Sequence, residues 1–149
     1  MLPEPVFDPA RLLARVGKER VSVLPGPPAL YQSILARADL HEFDLAPLRL
    51  AVTGAAVIPV SLIEAMRREL GFDTVITGYG LTETTGVVTM CRHGDDPETI
   101  ATTSGRAIPG VEVRVICADG RVANPGEAGE IRVRGYNVCL LYTSDAADE

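Results

Sequence analysis

At 149 residues, 46% of them hydrophobic and 23% charged, the chain has the balance of a soluble globular domain, which at this size buries roughly 70% of its unfolded surface. No apolar run approaches the roughly 20 residues that a membrane-spanning helix needs, so no transmembrane segment is expected. The net charge is −6, with no basic cluster beyond Arg67-Arg68, which leaves a nucleic-acid backbone nothing to grip and excludes nucleic acid as an expected partner.

The opening stretch, MLPEPVFDPARLLARVGKER, has an early acidic residue and neither a basic start nor an uninterrupted apolar run. It does not read as a secretion signal, and the expected location is cytoplasmic. Val21-Ser22-Val23-Leu24 reads as a strand closed by Pro25-Gly26. Pro27-Pro28 then opens a helix with Leu30, Tyr31, Ile34 and Leu35 at helical spacing. Residues 48–53, LRLAVT, read as a second strand ended by Gly54. Pro59 starts a second helix with Leu62, Ile63, Met66 and Leu70 on one face. Thr74-Val75-Ile76-Thr77 is the third strand. Strands and helices alternating over short links predict parallel β-α-β units with right-handed crossovers.

Past residue 90 the period changes. Residues 111–116, VEVRVI, and 130–134, EIRVR, alternate apolar with polar, Ala118-Asp119-Gly120 carries a D-G turn signal, and Asn124-Pro125-Gly126 is a further turn. This predicts an antiparallel β module after the α/β part. Cys91, Cys117 and Cys139 are an odd, sparse set without C-x-x-C spacing, which argues for reduced, structural thiols.

The chemistry-bearing stretch is residues 78–86, GYGLTETTG, directly after the third strand. Ligands of parallel α/β sheets bind beyond the carboxyl ends of the strands, and both Gly54 and Gly78 stand at such ends. Glycines there admit a close backbone approach, Tyr79 offers a planar face for a base, Thr82 offers a hydroxyl and N–H for a phosphate oxygen, and Glu83 is a hard oxygen ligand for magnesium. The same residues also suit an ordinary turn, with Thr82-Glu83 capping a helix without touching ligand. On spacing alone both readings stand.

GYGLTET resembles the signature of the adenylate-forming (AMP-binding) superfamily, which comprises acyl-CoA synthetases, nonribosomal-peptide adenylation domains and luciferases. The similarity continues in order through VLPGPPALYQSIL at 23–35, LRLAVTGAAVIP at 48–59, SGRAIPGVEVRVI at 104–116 and GEAGEIRVRGYNV at 126–138. It covers roughly residues 20 to 138, and its texture is nearest to bacterial fatty-acid and alicyclic-acid CoA ligases. The resemblance implies that Gly54, Ala55 and Ala56 form a backbone ledge on one side of adenine, with Tyr79 on the other face. It implies that Thr82 contacts the α-phosphate, that Glu83 holds Mg²⁺, and that Gly78, Gly80 and Leu81 belong to the wall along which the acyl-adenylate lies. The implied reaction joins a small-molecule carboxylic acid to ATP, giving acyl-adenylate and pyrophosphate, after which the CoA thiol displaces AMP. Residues 1–138 are then expected to be part of an adenylation domain, α/β to about residue 90 and β-rich from about 91.

Three features that the family carries have no match in this sequence: a Ser/Thr/Gly-rich phosphate loop with a lysine, a Thr-Gly-Asp segment that binds ribose, and a mobile terminal domain with a catalytic lysine. The chain is therefore expected to be an internal fragment, inactive alone. Its last stretch, CLLYTSDAADE at 139–149, departs from the family pattern and is expected to be non-native and disordered. Two other functional classes remain open, a non-catalytic nucleotide-binding or interaction module and an adenylation domain that loads a carrier-protein thiol. Elsewhere, Cys91, His93, Asp95 and Asp96 match no zinc spacing and read as a solvated loop. Glu127 and Glu130 read as solvent-facing or hydrogen-bonded instead of as an acid-base pair. Thr102, Thr103 and Ser104 read as a polar loop.

Overall fold

The computed structural model describes residues 7–54 and 56–139. The chain divides into two compact units, Met1–Thr77 with Cys91–Ser104, and Gly78–Met90 with Gly105–Glu149.

In the first unit, Asp8 accepts a hydrogen bond from the Arg11 N–H at 2.8 Å and Pro9 takes the first helical position, so the chain enters α1 (Pro9–Lys18). Leu13 and Val16, three apart on one face, are buried. This helix falls where the sequence was read only for a leader; the Asp-Pro start was its signal. β1 (Val23–Pro25) begins two residues later than expected and pairs in parallel with β2 (Leu50–Gly54), Val23 opposite Leu50 and Pro25 opposite Val52. Between them lies α2 (Pro28–Leu35), which buries Pro28, Tyr31 and Ile34. Tyr31 ties the layers together, its hydroxyl donating to Leu24 O at 2.6 Å and its ring meeting Phe72 edge-on with centroids 6.1 Å apart. Burial without a charged partner pushes the Tyr31 hydroxyl well above the usual phenol range.

Pro59 precedes α3 (Val60–Glu69), whose Leu62, Ile63 and Met66 are buried together with Leu70 at its cap, as the stripe predicts. β3 (Thr74–Tyr79) buries Val75, Ile76 and Thr77 in succession, the mark of a strand covered on both faces. Its Thr74–Thr77 part belongs to the first unit. It runs two residues beyond the expected end because Gly78 and Tyr79 also find strand partners. The first unit closes with α4 (Pro97–Thr102), whose last residue, Thr102, was expected in a polar loop. Asp96 caps it by accepting from the Thr99 N–H at 2.9 Å.

In the second unit, β4 (Thr89–Met90) pairs antiparallel with Gly78-Tyr79 of β3 on one side and with β5 (Arg106–Ala107) on the other. Strand order along the sheet is β1-β2-β3-β4-β5. β6 (Val111–Ile116) and β7 (Glu130–Gly135) form a separate antiparallel pair, with Val113 opposite Val133. The D-G turn returns the chain to a single bridge, Ile116 to Val122, and Gly126 takes φ +89° after Pro125 in a turn closed by Glu127 N–H to Asn124 O. Alternation along residues 130–134, EIRVR, would turn Ile131 inward. Ile131 is 48% exposed, because a two-stranded sheet covers its apolar face only in part. An α/β fold with parallel pairing followed by an antiparallel module is what the sequence leads one to expect. Residues 140–149 of the expected foreign tail lie outside the described residues.

Candidate functional site

In the second unit β3 delivers Gly78 and Tyr79 to a loop that closes on itself. Val88 N–H donates to Tyr79 O at 2.7 Å, and Gly86 N–H to Leu81 O at 2.9 Å. Between them Thr82–Thr84 makes one 3-10 turn. A Cβ on Gly80 would stand 2.2 Å from Gly86 O and 2.6 Å from Val87 N. Glycine at 80 is therefore required by the loop's own backbone, a reason independent of any ligand.

Thr82 opens this 3-10 turn, but its hydroxyl does not cap it. The hydroxyl that caps this turn belongs to Thr84, which is buried, accepts from Leu81 N–H at 3.0 Å and donates to Leu81 O at 2.9 Å. Thr82 and Glu83 are both exposed, and among the described residues no hydrogen bond or ion pair engages either side chain. Thr85 follows with φ +55°, a left-handed conformation that a β-branched residue adopts only under constraint, and Gly86 with φ +90°.

That constraint comes from the segment after β7. Asn137, 7% exposed, donates from Nδ2 to Val87 O at 2.7 Å and to Thr84 O at 3.3 Å, and its own carbonyl accepts from the Thr85 hydroxyl at 2.9 Å. Cys139 N–H donates to Glu83 O at 2.7 Å. Neither Asn137, Thr84 nor Thr85 was singled out from sequence. Nothing in local periodicity says that residue 137 folds back on a loop fifty positions earlier.

Gly54 and Ala56 lie in the first unit. Gly54 ends β2, Ala56 is exposed directly after it, and Ala55 lies outside the described residues. The neighbouring Thr53 is buried, and its hydroxyl has no partner among the described residues.

The remaining candidates are structural. His93 Nδ1 meets Thr74 Oγ1 at 2.7 Å, Asp95 accepts from Arg92 N–H at 2.8 Å, and Asp96 caps α4. The described residues contain no group of three His, Cys, Asp or Glu side chains placed to hold a metal. Glu127 is bound by Arg121, and Glu130 pairs with Arg132 at 2.9 Å. Thr102 and Thr103 return their hydroxyls to Glu98 O and Thr99 O. Among the described residues no helix is long and apolar enough to cross a membrane.

Comparison with known proteins adds the following. A family model described as AMP-binding enzyme matches residues 1–143. A 3-[(3aS,4S,7aS)-7a-methyl-1,5-dioxo-octahydro-1H-inden-4-yl]propanoyl:CoA ligase of Rhodococcus jostii (strain RHA1) is 52% identical over 97% of this chain and 26% of its own length. The N-terminal domain of FACL13 from Mycobacterium tuberculosis superposes with TM-score 0.83 at 26% identity, over 97% of this chain and 36% of that one. The anthranilate CoA ligase AuaEII, in complex with anthranoyl-AMP, does so with TM-score 0.78 at 26% identity, over 89% of this chain and 25% of that one. The chain thus spans about a quarter of the length of the curated relative it matches.

Proposed function

The chain belongs to the AMP-binding enzymes, and on that premise we propose that it forms the adenylate-facing part of an acyl-CoA ligase acting on an alicyclic propanoic acid. The observation that carries the reading is the loop itself. The backbone of GYGLTET is engaged by the loop itself, by β4 and by the segment 137–139, while the Thr82 and Glu83 side chains stay exposed and unengaged among the described residues. A polar pair held out of its own hydrogen-bond network is disposed to serve a ligand.

In this reading the Thr82 hydroxyl contacts the α-phosphate, Tyr79 stacks on adenine, and Gly54 and Ala56 are adenine-binding residues. Gly78, Gly80 and Leu81 border the adenylate. Glu83 holds Mg²⁺. A lone exposed carboxylate fits that ion, which keeps several waters and takes one or two carboxylates plus phosphate oxygens, and does not fit an all-protein cage. When bound, the ion offsets charge developing on the phosphoryl oxygens and the leaving pyrophosphate. The substrate carboxylate oxygen attacks the α-phosphorus and pyrophosphate leaves. The CoA sulfur then attacks the acyl carbon and AMP leaves. Thr82 and Tyr79 contribute by orientation and electrostatics, which is where most of the rate of such transfers arises.

The alicyclic assignment is supported by the 52% identity to a ligase named for a bicyclic propanoyl group. Pyrophosphate release by the full-length protein that carries this chain tests it, with the bicyclic propanoic acid, a straight-chain fatty acid and no acid compared side by side. Release with the straight-chain acid alone would remove the alicyclic assignment. Release with no acid of either kind would remove adenylation. Adenylate formation without CoA transfer would point to a carrier-protein thiol as acceptor.

A further inference from the structure

We infer that Asn137 is a positioning residue that fixes the backbone of the loop bearing Thr82 and Glu83. Its buried Nδ2 faces two carbonyl oxygens, Val87 O at 2.7 Å and Thr84 O at 3.3 Å. Carbonyls only accept, so the amide must present its nitrogen there. The Thr85 hydroxyl donates back to Asn137 O at 2.9 Å, and Cys139 N–H reaches Glu83 O at 2.7 Å. Thus three consecutive loop residues, 83 to 85, are each held by the segment 137–139. Thr85 keeps φ +55°, and a β-branched residue stays in that region only where its surroundings over-determine it. Asn137 Oδ1 is buried without a partner among the described residues, so the side chain's hydrogen bonding is committed to the loop through its NH₂ group alone. Room for it depends on Gly135, where an added Cβ would come within 2.9 Å of Oδ1.

The consequence for ligand rests on the adenylation reading above, and the test separates the two. In the full 149-residue chain, amide hydrogen exchange is followed by mass spectrometry in the native protein and in Asn137→Ala, Asn137→Asp and Thr85→Ser. Asn137→Asp keeps the size and removes the donors, so it should behave like Asn137→Ala. Thr85→Ser keeps the hydroxyl and should stay near native. We expect the Thr84, Thr85 and Gly86 amides to exchange about tenfold faster in both Asn137 variants, with β6 and β7 amides unchanged, as for local opening after loss of one or two buried hydrogen bonds. Unchanged loop exchange, or an equal rise in β6 and β7, overturns the proposal. Mg²⁺-dependent ATP binding is read separately. If Asn137 acts through Glu83, Asn137→Ala should weaken it about tenfold in the native background and cause no further loss in Glu83→Gln. If the native chain binds no ATP, the nucleotide reading of this chain fails while the exchange result still decides the role of Asn137.

Discussion

Glu127 sits between two nitrogens of Arg121, with Nη1 at 2.6 Å and Nη2 at 3.1 Å, and also accepts from Asn124 N–H at 2.9 Å. The Arg121 contact first and the Asn124 N–H second hold its carboxyl down at about 2. A carboxylate depressed on folding contributes stability above its unfolded value, and the contribution is lost as pH falls through the folded one. The window here runs from the ordinary carboxylate range down to about 2. An NMR titration of the Glu127 side chain should place its midpoint near the low end, and Arg121→Ala should move it towards the ordinary range. An unmoved midpoint would mean that the ion pair does not hold in solution. Glu83, in the same unit, is exposed, and among the described residues no cation pairs with it. In the full-length protein Glu83→Gln should lower pyrophosphate release by about 10²-fold or more, the scale of removing one group aimed at transition-state charge; release at the native rate would take Glu83 out of the site. Tyr31 is a stability residue of another kind. Tyr31→Phe removes the 2.6 Å bond to Leu24 O and should cost about 0.5–1.5 kcal/mol in urea unfolding, the net scale of one intramolecular hydrogen bond.

At the scale of elements, the loop after β3 depends on Gly80 in a way that neighbouring glycines do not share. A methyl group there meets backbone at 2.2 Å, and backbone cannot swing aside as a side-chain tip can. Gly80→Ala should cost more than the about 1–3 kcal/mol of ordinary overpacking, seen as a fall in the thermal midpoint with lost protection of the Leu81–Gly86 amides. At Gly78 the nearest backbone atom is 3.3 Å away, so Gly78→Ala should be milder. The two glycines look alike in GYG, and the letters alone could not rank them. What was legible follows the same logic. α2 begins at a proline, α3 follows one, both keep an apolar stripe, and β6 and β7 form where apolar and polar letters alternate, because these signals are local. β4 and β5 are two residues each and α4 six, too short to show a period. The stretch GYGLTETTG holds the candidate site residues other than Gly54, Ala55 and Ala56 in one run of sequence. The device that holds it, Asn137, is a tertiary contact with no sequence period.

At the scale of the whole chain, the 149 residues span 26% of the length of a 52%-identical relative, and the chain assayed by itself is expected to make no acyl-CoA from ATP, CoA and any acid; product above background would contradict that expectation. The chain also carries exposed apolar surface at one end of its sheet. Strand order ends at β1, where Val23 is 39% and Phe7 49% exposed. Beside it lies a groove of about 690 Å³ lined by Leu12, Val16, Val21, Val23 and Leu30 among others, flanked by Arg15, Glu19 and Arg20. Among the described residues no strand pairs with the outer side of β1. Edge strands kept apart in solution are usually blunted by charge, a bulge or a covering element, and the charges here flank the groove without entering the strand. An edge that is apolar and unpaired among the described residues should favour pairing of copies along β1. Sedimentation should therefore show apparent mass rising with concentration. Val23→Lys, which puts a charge on the exposed edge position without touching the buried Leu24, should abolish the rise while leaving far-ultraviolet circular dichroism unchanged. A chain that stays monomeric at high concentration would mean that the groove is covered by residues of the chain itself, and Val23→Lys should then lower stability instead of altering mass.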